Sequence, residues 1–415
     1  MTRLNRFLTT GLSIIALTST YASAQQLTEP TAAEYTGYRI THHMDATIKH
    51  IENFGLNTFD HPPIGDYRSF VITPALDHFY SKAVADLRYG PAVVETPARD
   101  DRYGSIQVFD MEHYTIFDKV TDKEGERIVL VHEDYKGKLP SGTVVKTKSY
   151  FPFVFIRTQS FNFNDDKLAD AIRHQAKIYG VVDDVELPNT SEPQQVLQWT
   201  YDNKTHYKQS EKLIEKAIAT YDAEAHKKAY AYLADYASSG QVVGNPGMFE
   251  DIDDPKGGDL KIRATGTLLG HLGFPVHHAY YQNVAVDEKG RRLEGKNGPF
   301  KVTLPYKPGV GQFWSVTRYG SDTFLPLNPA EIGGNDIQSY NAYNTQPDKD
   351  GNVTFTFSTK DPKDGSYWMP VKEDGYYFVV RYYQPTTKLN GNTAFDKIYG
   401  DTKLKGKFKA ITFSK

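Results

Sequence analysis

The 415-residue sequence predicts an α+β protein: two β-rich, sandwich-like domains separated by a helical segment. Three observations predict it. Short aromatic and β-branched runs, separated by Gly, Pro and Asp turns, fill residues 76–157 and recur from about Ala279 onward. Between them, Thr205 to Ser239 has few breakers, with Leu213, Ile214, Ala217, Ile218 and Tyr221 at helical spacing. Tyrosine is abundant, at 29 residues beside 23 phenylalanines, and flat rings favour pleated surfaces. The same rings can line a site that stacks on ring-bearing ligands, although packing is the commoner use.

The first 24 residues read as a signal peptide. Arg3 and Arg6 precede an apolar stretch centred on Leu12, Ile14, Ile15, Ala16 and Leu17, and Ala22-Ser23-Ala24 gives a small-x-small cleavage pattern. The apolar stretch is shorter than the roughly 20 residues a membrane span needs. Export to the periplasm or beyond, with cleavage after Ala24, is therefore expected. Cysteine is absent, so the fold relies on its core and not on disulfides. Cleavage removes Arg3 and Arg6 and shifts the formal charge from −3 to −5. That balance argues against a nucleic-acid binder, and no polybasic run marks a membrane-surface protein.

The expected divisions are 1–24 (signal peptide), 25–160 (β-rich, with a leading helix), 161–245 (helical linker or cap) and 246–415 (β-rich). Gln25 to Ala33 reads as a loose leader, and Tyr38 to Asn57 as a helix ended by Asp60-His61-Pro62-Pro63. Strands are expected at Tyr80–Leu87, Ala92–Thr96, Tyr103–Phe109, Arg127–His132, Val144–Lys148 and Phe151–Arg157. Asn164-Asp165-Asp166 predicts a helix N-terminus, with the helix running to about Tyr179. Gly257 to Gly270 reads as a glycine-rich loop. Asp348 to Asn352 reads as a hairpin turn, with strands at Val353–Ser358 and Tyr376–Tyr383.

Three stretches then carry a resemblance. They are Asp77-His78-Phe79-Tyr80 through Asp100–Asp110, Gly311–Tyr319, and Tyr367-Trp368-Met369-Pro370 followed by Arg381-Tyr382-Tyr383-Gln384-Pro385. Together they resemble exported bacterial proteins that pair two domains of unknown function, numbered twelve-fifty-four and twelve-fourteen. The resemblance implies β-rich sandwich-like modules with helical insertions. Some members are labelled carboxylesterase-like, which implies a hydrolase acting on a small ester. Tyr367-Trp368-Met369-Pro370 stands where relatives tend to have Asn-Trp-Leu-Pro.

Chemistry-bearing residues are sparse. No G-x-S-x-G elbow occurs, so an α/β-hydrolase esterase is disfavoured. Ser105 and Ser315 sit inside strand motifs and are the candidate nucleophiles; each needs a base that spacing alone does not supply. His42-His43, His271 and His277-His278 are the histidine groupings, and neither adjacent pair chelates by itself. No metal site and no cofactor is assigned. Arginine among aromatics is the richer pattern. Arg102, Arg157, Arg318 and Arg381 flank aromatic strands, with Tyr377, Val379, Arg381 and Tyr383 on one face of theirs and Trp314 and Arg318 on one face of another. A guanidinium over rings suits a carboxylate ligand, giving Arg102, Tyr103, Trp314, Arg318, Trp368, Arg381 and Tyr383 as candidate binding residues. The same arginines could instead pair with Asp100, Asp101 or Asp110 as internal clamps. Three readings follow: a hydrolase, a periplasmic binder of an anionic or aromatic small molecule at the domain junction, and a structural or assembly protein, with a homo-oligomer compatible with each.

Overall fold

The computed structural model describes residues 27–69, 71–161, 166–242, 244–252, 258–385 and 412–414. The expected signal segment, with its cleavage point after Ala24, lies outside these residues, as do Asn164 and Asp165 of the expected helix cap. Among the described residues, no helix is long and apolar enough to cross a membrane.

Helix α1 (Ala32–Phe54) opens the fold, starting earlier than expected. Thr31 and Glu34 form a reciprocal capping box, with Thr31 N–H donating to Glu34 Oε2 at 2.7 Å and Glu34 N–H to Thr31 Oγ1 at 3.3 Å. Gly55, at φ 85°, ends the helix before the Pro62-Pro63 pair is reached.

Eight strands and one helix follow. They are β1 (His78–Val84), β2 (Ala92–Glu95), β3 (Gly104–Phe109), β4 (Thr115–Val120), β5 (Arg127–His132), β6 (Thr143–Thr147), β7 (Phe153–Gln159), α2 (Asp166–Arg173) and β8 (Lys177–Tyr179). They form two sheets, ordered β1-β7-β3-β4 and β6-β5-β2-β8. Ala83, Val94, Ile106, Val108, Ile128, Leu130, Val154 and Ile156 fill the space between them. The helix expected up to Tyr179 stops at Arg173, and Lys177–Tyr179 instead pairs antiparallel with β2. The edge of β2 otherwise leaves N–H and C=O groups open, and Ile178 packs on the sandwich core, so tertiary pairing overrides the local helical pattern.

The middle of the chain supplies α3 (Pro193–Asp202), α4 (Glu211–Thr220), α5 (Ala223–Ser238) and α6 (Leu260–Gly270). With α1 they cover the outer face of the β1-β7-β3-β4 sheet. Met44, Ile48, Leu197, Ile214, Leu233 and Leu268 meet Phe109, Phe153 and Phe155 there. Of the expected loop at Gly257–Gly270, Leu260–Gly270 is thus corrected to a helix. Asp259 caps α6 by accepting from Ile262 N–H at 3.1 Å. Gly266 is needed inside the helix because a Cβ there would stand 2.6 Å from Met248 Cβ.

The remaining strands are β9 (Ala279–Val284), β10 (Phe300–Pro305), β11 (Trp314–Gly320), β12 (Ser339–Asn341), β13 (Asn352–Ser358), β14 (Tyr367–Pro370), β15 (Tyr376–Tyr383) and β16 (Thr412–Ser414). Their two sheets run β12-β11-β15-β9 and β14-β13-β10-β16. Trp314, Val316, Phe355, Phe357, Phe378 and Val380 pack between them. The chain is α+β, with two β-sandwich units and a helical layer.

Gly37 lets α1 lie against Tyr221: a Cβ there would fall 2.7 Å from Tyr221 Cγ, and that ring is fully buried. Gly37→Ala is expected to lower stability by about 1–2 kcal/mol, since overpacking costs about 1–3 and the helix-propensity gain returns at most about 1. Urea denaturation of the two proteins, compared at equal m-value, measures it.

Candidate functional site

Strand alternation builds the site. On β7 the residues Phe153, Phe155 and Arg157 share a face, while Val154 and Ile156 point into the sandwich. Arg157 stands opposite Tyr80 on β1 and Ser105 on β3. On β15 the residues Tyr377, Val379, Arg381 and Tyr383 share a face, with Arg381 opposite Ser315 on β11 and Tyr281 on β9. These two faces, one from each sandwich, confront each other. Residues 71–75, with Val242, Gly244, Asn245, Met248 and Phe249 and with Leu269, Gly270, Leu272 and Gly273, close the sides. A cavity of about 80 Å³ remains, lined by Arg157, Arg381, His78, Tyr80, Tyr281 and Tyr383 among mostly apolar neighbours.

Both guanidiniums are buried, with Arg157 3% and Arg381 5% exposed. Arg157 donates to Gln107 Oε1 at 3.1 Å and to the Leu272 carbonyl, and its plane sits 3.6 Å from the Phe274 ring centroid. Arg381 donates to the Thr73 carbonyl and to the Tyr319 hydroxyl, each at 2.8 Å. Its Nη1 has no hydrogen-bond partner. Among the described residues, neither arginine forms an ion pair. Asp77 acts on Arg381 through space, but burial pushes the Asp77 carboxyl up and weakens that compensation. His78 Nε2 lies 3.0 Å from the Tyr383 hydroxyl, while its Nδ1 is buried without a partner. Burial and the charges of Arg157 and Arg381 hold this imidazole well below its ordinary range, so it is neutral at pH 7.

Polar clamps fix the junction around the cavity. Asp118 on β4 accepts from His277 Nε2 at 2.9 Å and lies 2.7 Å from His278 Nδ1. His278 Nε2 lies 2.9 Å from the Tyr103 hydroxyl. Burial and the neighbouring Arg157 lower the His278 pKa against the opposing pull of Asp118. The carboxylate–imidazole–hydroxyl order has the form of an acid–base relay. Burial raises the Tyr103 phenol, however, which makes it a poor nucleophile, and its ring is packed between Phe313, Tyr383 and His278. The chain of bonds acts as a clamp. Tyr319 donates to the Pro74 carbonyl at 2.6 Å, and Thr73 Oγ1 lies 2.7 Å from the Tyr377 hydroxyl, which tie the same faces together.

The residues anticipated from sequence are dispersed by this architecture. Arg381 and Tyr383 line the cavity. Tyr103 touches Tyr383 at a ring distance of 5.3 Å and stands beside it. Trp314 and Arg318 lie on the opposite face of the same sheet, inside the C-terminal sandwich, because Trp314 pairs with Tyr382 and Arg318 with Phe378. Trp314 Nε1–H donates to the Tyr306 carbonyl at 2.8 Å, and Arg318 donates to the Gln338 side chain. Burial lowers the Arg318 pKa to about 9. Trp368 sits on the β14 edge, donating to the Ser358 carbonyl at 3.1 Å. Arg102 is clamped by Asp100, at 2.8 Å from Nε. Ser105 and Ser315 are fully buried on the two confronting faces, and among the described residues neither hydroxyl hydrogen-bonds to an imidazole. Arg157 belongs to the arginine-among-aromatics pattern of the sequence, but only its strand register places it in the cavity. His113, a solitary turn residue, carried no sequence signal, and it converges with His43 and His271 behind the cavity.

Comparison with known proteins adds the following. Residues 56–180 match the family model described as Protein of unknown function (DUF1254), and residues 278–387 match Protein of unknown function (DUF1214). No protein with a curated description matches. The crystal structure of a Vibrio parahaemolyticus protein superposes with a TM-score of 0.63 at 22% identity, covering 92% of this chain and 98% of that one. That likeness is one of fold. An uncharacterised Burkholderia cenocepacia protein matches at a TM-score of 0.47 and 15% identity, covering 85% of each chain.

Asp118 makes the junction acid-sensitive. Burial alone would raise its carboxyl, but the bonds from His277 and His278 outweigh this and hold it far below the ordinary range. A carboxylate depressed by folding adds stability above its unfolded pKa of about 3.9 and loses it as pH falls below that value. Asp118→Asn is therefore expected to cost about 1–3 kcal/mol at pH 7. The gap to the wild type should hold in urea melts from pH 6 to about pH 4 and narrow as the pH is lowered further.

Proposed function

We propose, for this member of the family that pairs the DUF1254 and DUF1214 domains, that the domain junction binds a short-chain carboxylate. The observation that carries the reading is the pair of buried guanidiniums, one per sandwich, facing one apolar cavity with no carboxylate bonded to either among the described residues. A buried charge is expensive unless something neutralises it, and a ligand carboxylate oxygen can accept from the free Nη1 of Arg381, whose Nη2 hydrogens are already donated to Thr73 and Tyr319. His78, neutral and with Nδ1 unpartnered, offers a second polar contact at the same wall. The volume of about 80 Å³ limits the ligand to a few heavy atoms, on the scale of about 10–15 Å³ per enclosed water. Val71, Ile72, Val242, Met248, Phe249 and Leu272 favour an aliphatic tail over a second charge.

The carboxylesterase-like label implies a serine nucleophile, and the absence of a serine–imidazole bond at Ser105 or Ser315 weighs against it. Binding requires no such pair.

Propionate and butyrate are the probes. At constant ionic strength in chloride, each is expected to raise the melting temperature of the chain, while the matching alcohols leave it unchanged. Arg381→Gln and Arg157→Gln should each weaken propionate binding about ten- to hundredfold, the loss expected for one charge-assisted bond. Equal melting temperatures with acid and alcohol in the folded wild type would sink the reading, whatever the variants do.

A further inference from the structure

Behind the cavity wall, three imidazoles meet. His43 comes from the middle of α1, His113 from the turn between β3 and β4, and His271 from the end of α6. One ring nitrogen of each lies within 4.8 Å of the others, and all three residues are buried. His43 Nδ1 and His271 Nε2 face each other at 2.9 Å. Two ligand nitrogens on a tetrahedral zinc, each about 2.0–2.1 Å from the metal, stand about 3.3 Å apart, so modest ring rotations bring the trio to a ligating geometry.

Two further observations set the cluster apart from ordinary packing. His43 Nε2 is buried and makes no well-aligned hydrogen bond, with the rings of Phe109 and Phe153 and the Asp110 backbone around the imidazole. An apolar side chain would fill that space without an orphaned nitrogen. His113 holds φ 65°, a left-handed conformation that a non-glycine residue adopts at a cost of about 1–2 kcal/mol. That conformation lets its Nε2 reach the His271 carbonyl and its Nδ1 approach Thr267 Oγ1 at 3.1 Å; one of these contacts would orient the ring as an outer-shell bond orients a metal-ligating histidine, and the other would give way to the metal.

We propose that His43, His113 and His271 form a binding site for one divalent transition ion of the zinc class. Three imidazole nitrogens without a carboxylate favour zinc, cobalt, nickel or copper over calcium or magnesium. Burial lowers the His43 pKa to about 3 and holds His113 and His271 well below their ordinary range, so each imidazole is neutral at neutral pH and keeps one unprotonated ring nitrogen; the proton shared between His43 Nδ1 and His271 Nε2 would move to a far nitrogen on ligation. Gly270 and Leu272, either side of His271, line the junction cavity, so the ion would sit directly behind its wall. The inference stands independently of the carboxylate reading, since no residue of the trio lines that cavity.

The test uses the full chain, stripped with a chelator and titrated with Co(II). The expected result is a visible d–d band of four-coordinate intensity, saturating at one ion per chain and bleached by Zn(II). His271→Ala and His113→Ala should abolish the band, and His43→Phe, which keeps the core filled, should weaken it at least tenfold. His174→Ala, changed at an exposed histidine outside the trio, should retain it. Failure of the folded wild type to give a band or a melting shift with either ion overturns the proposal, as does a band that survives all three trio variants.

Discussion

Two cationic strands confront each other across the domain junction, and the protein must accommodate both in a nearly dry space. Arg157 and Arg381 are placed there by the two-residue period of β7 and β15, which at the same time sends Val154, Ile156, Val380 and Tyr382 into the two sandwich cores. A one-residue slip in either strand would put a guanidinium into a core and a hydrophobe into the junction. The surroundings follow from this constraint. Carbonyls of Leu272 and Thr73 accept from the arginines, Phe155 and Phe274 stack on Arg157, and Tyr281 and Tyr319 lie beside Arg381. Neutral acceptors and ring faces soften the desolvation penalty without cancelling the charge.

Part of the tyrosine content has its explanation in the same place. Tyr80, Tyr281, Tyr319, Tyr377 and Tyr383 all point at the junction. A phenol offers a large apolar face and one hydroxyl, which suits a surface that must be packed and yet supply polar contacts to cations. Burial raises each of these phenols above its ordinary pKa, so they remain neutral and leave the positive charge standing.

Sequence made one half of this legible. The alternation of Tyr376 to Tyr383 correctly put Tyr377, Val379, Arg381 and Tyr383 on one face, because period two is a local property. What the face looks at is not local. Trp314 and Arg318 also share a face, yet the β11–β15 register turns that face inward, and only the pairing of Trp314 with Tyr382 reveals it. Ser315, read as a nucleophile, lies on the junction side opposite Arg381 for the same reason. His113 left no trace, since its contacts with His271 and Thr267 span about 150 residues of chain. Gly266 of α6 read as loop because its purpose, the close approach of Met248, belongs to tertiary packing.

Pairing of the two family domains acquires a physical meaning from the way the cavity is partitioned. Arg157 and His78 come from the segment matching the first domain, and Arg381 and Tyr383 from the segment matching the second. Neither sandwich alone encloses anything: each would present a cationic, tyrosine-rich face to water. The walls formed by Val242, Met248, Phe249, Leu269 and Leu272 come from neither matched segment, but from the helical region between them. That region also places His271, while α1 places His43. The Vibrio parahaemolyticus fold covers 92% of this chain, so sandwiches and helices recur together. An isolated domain would lack half the cavity's charge and one of its walls, so the cavity exists only in the assembled chain.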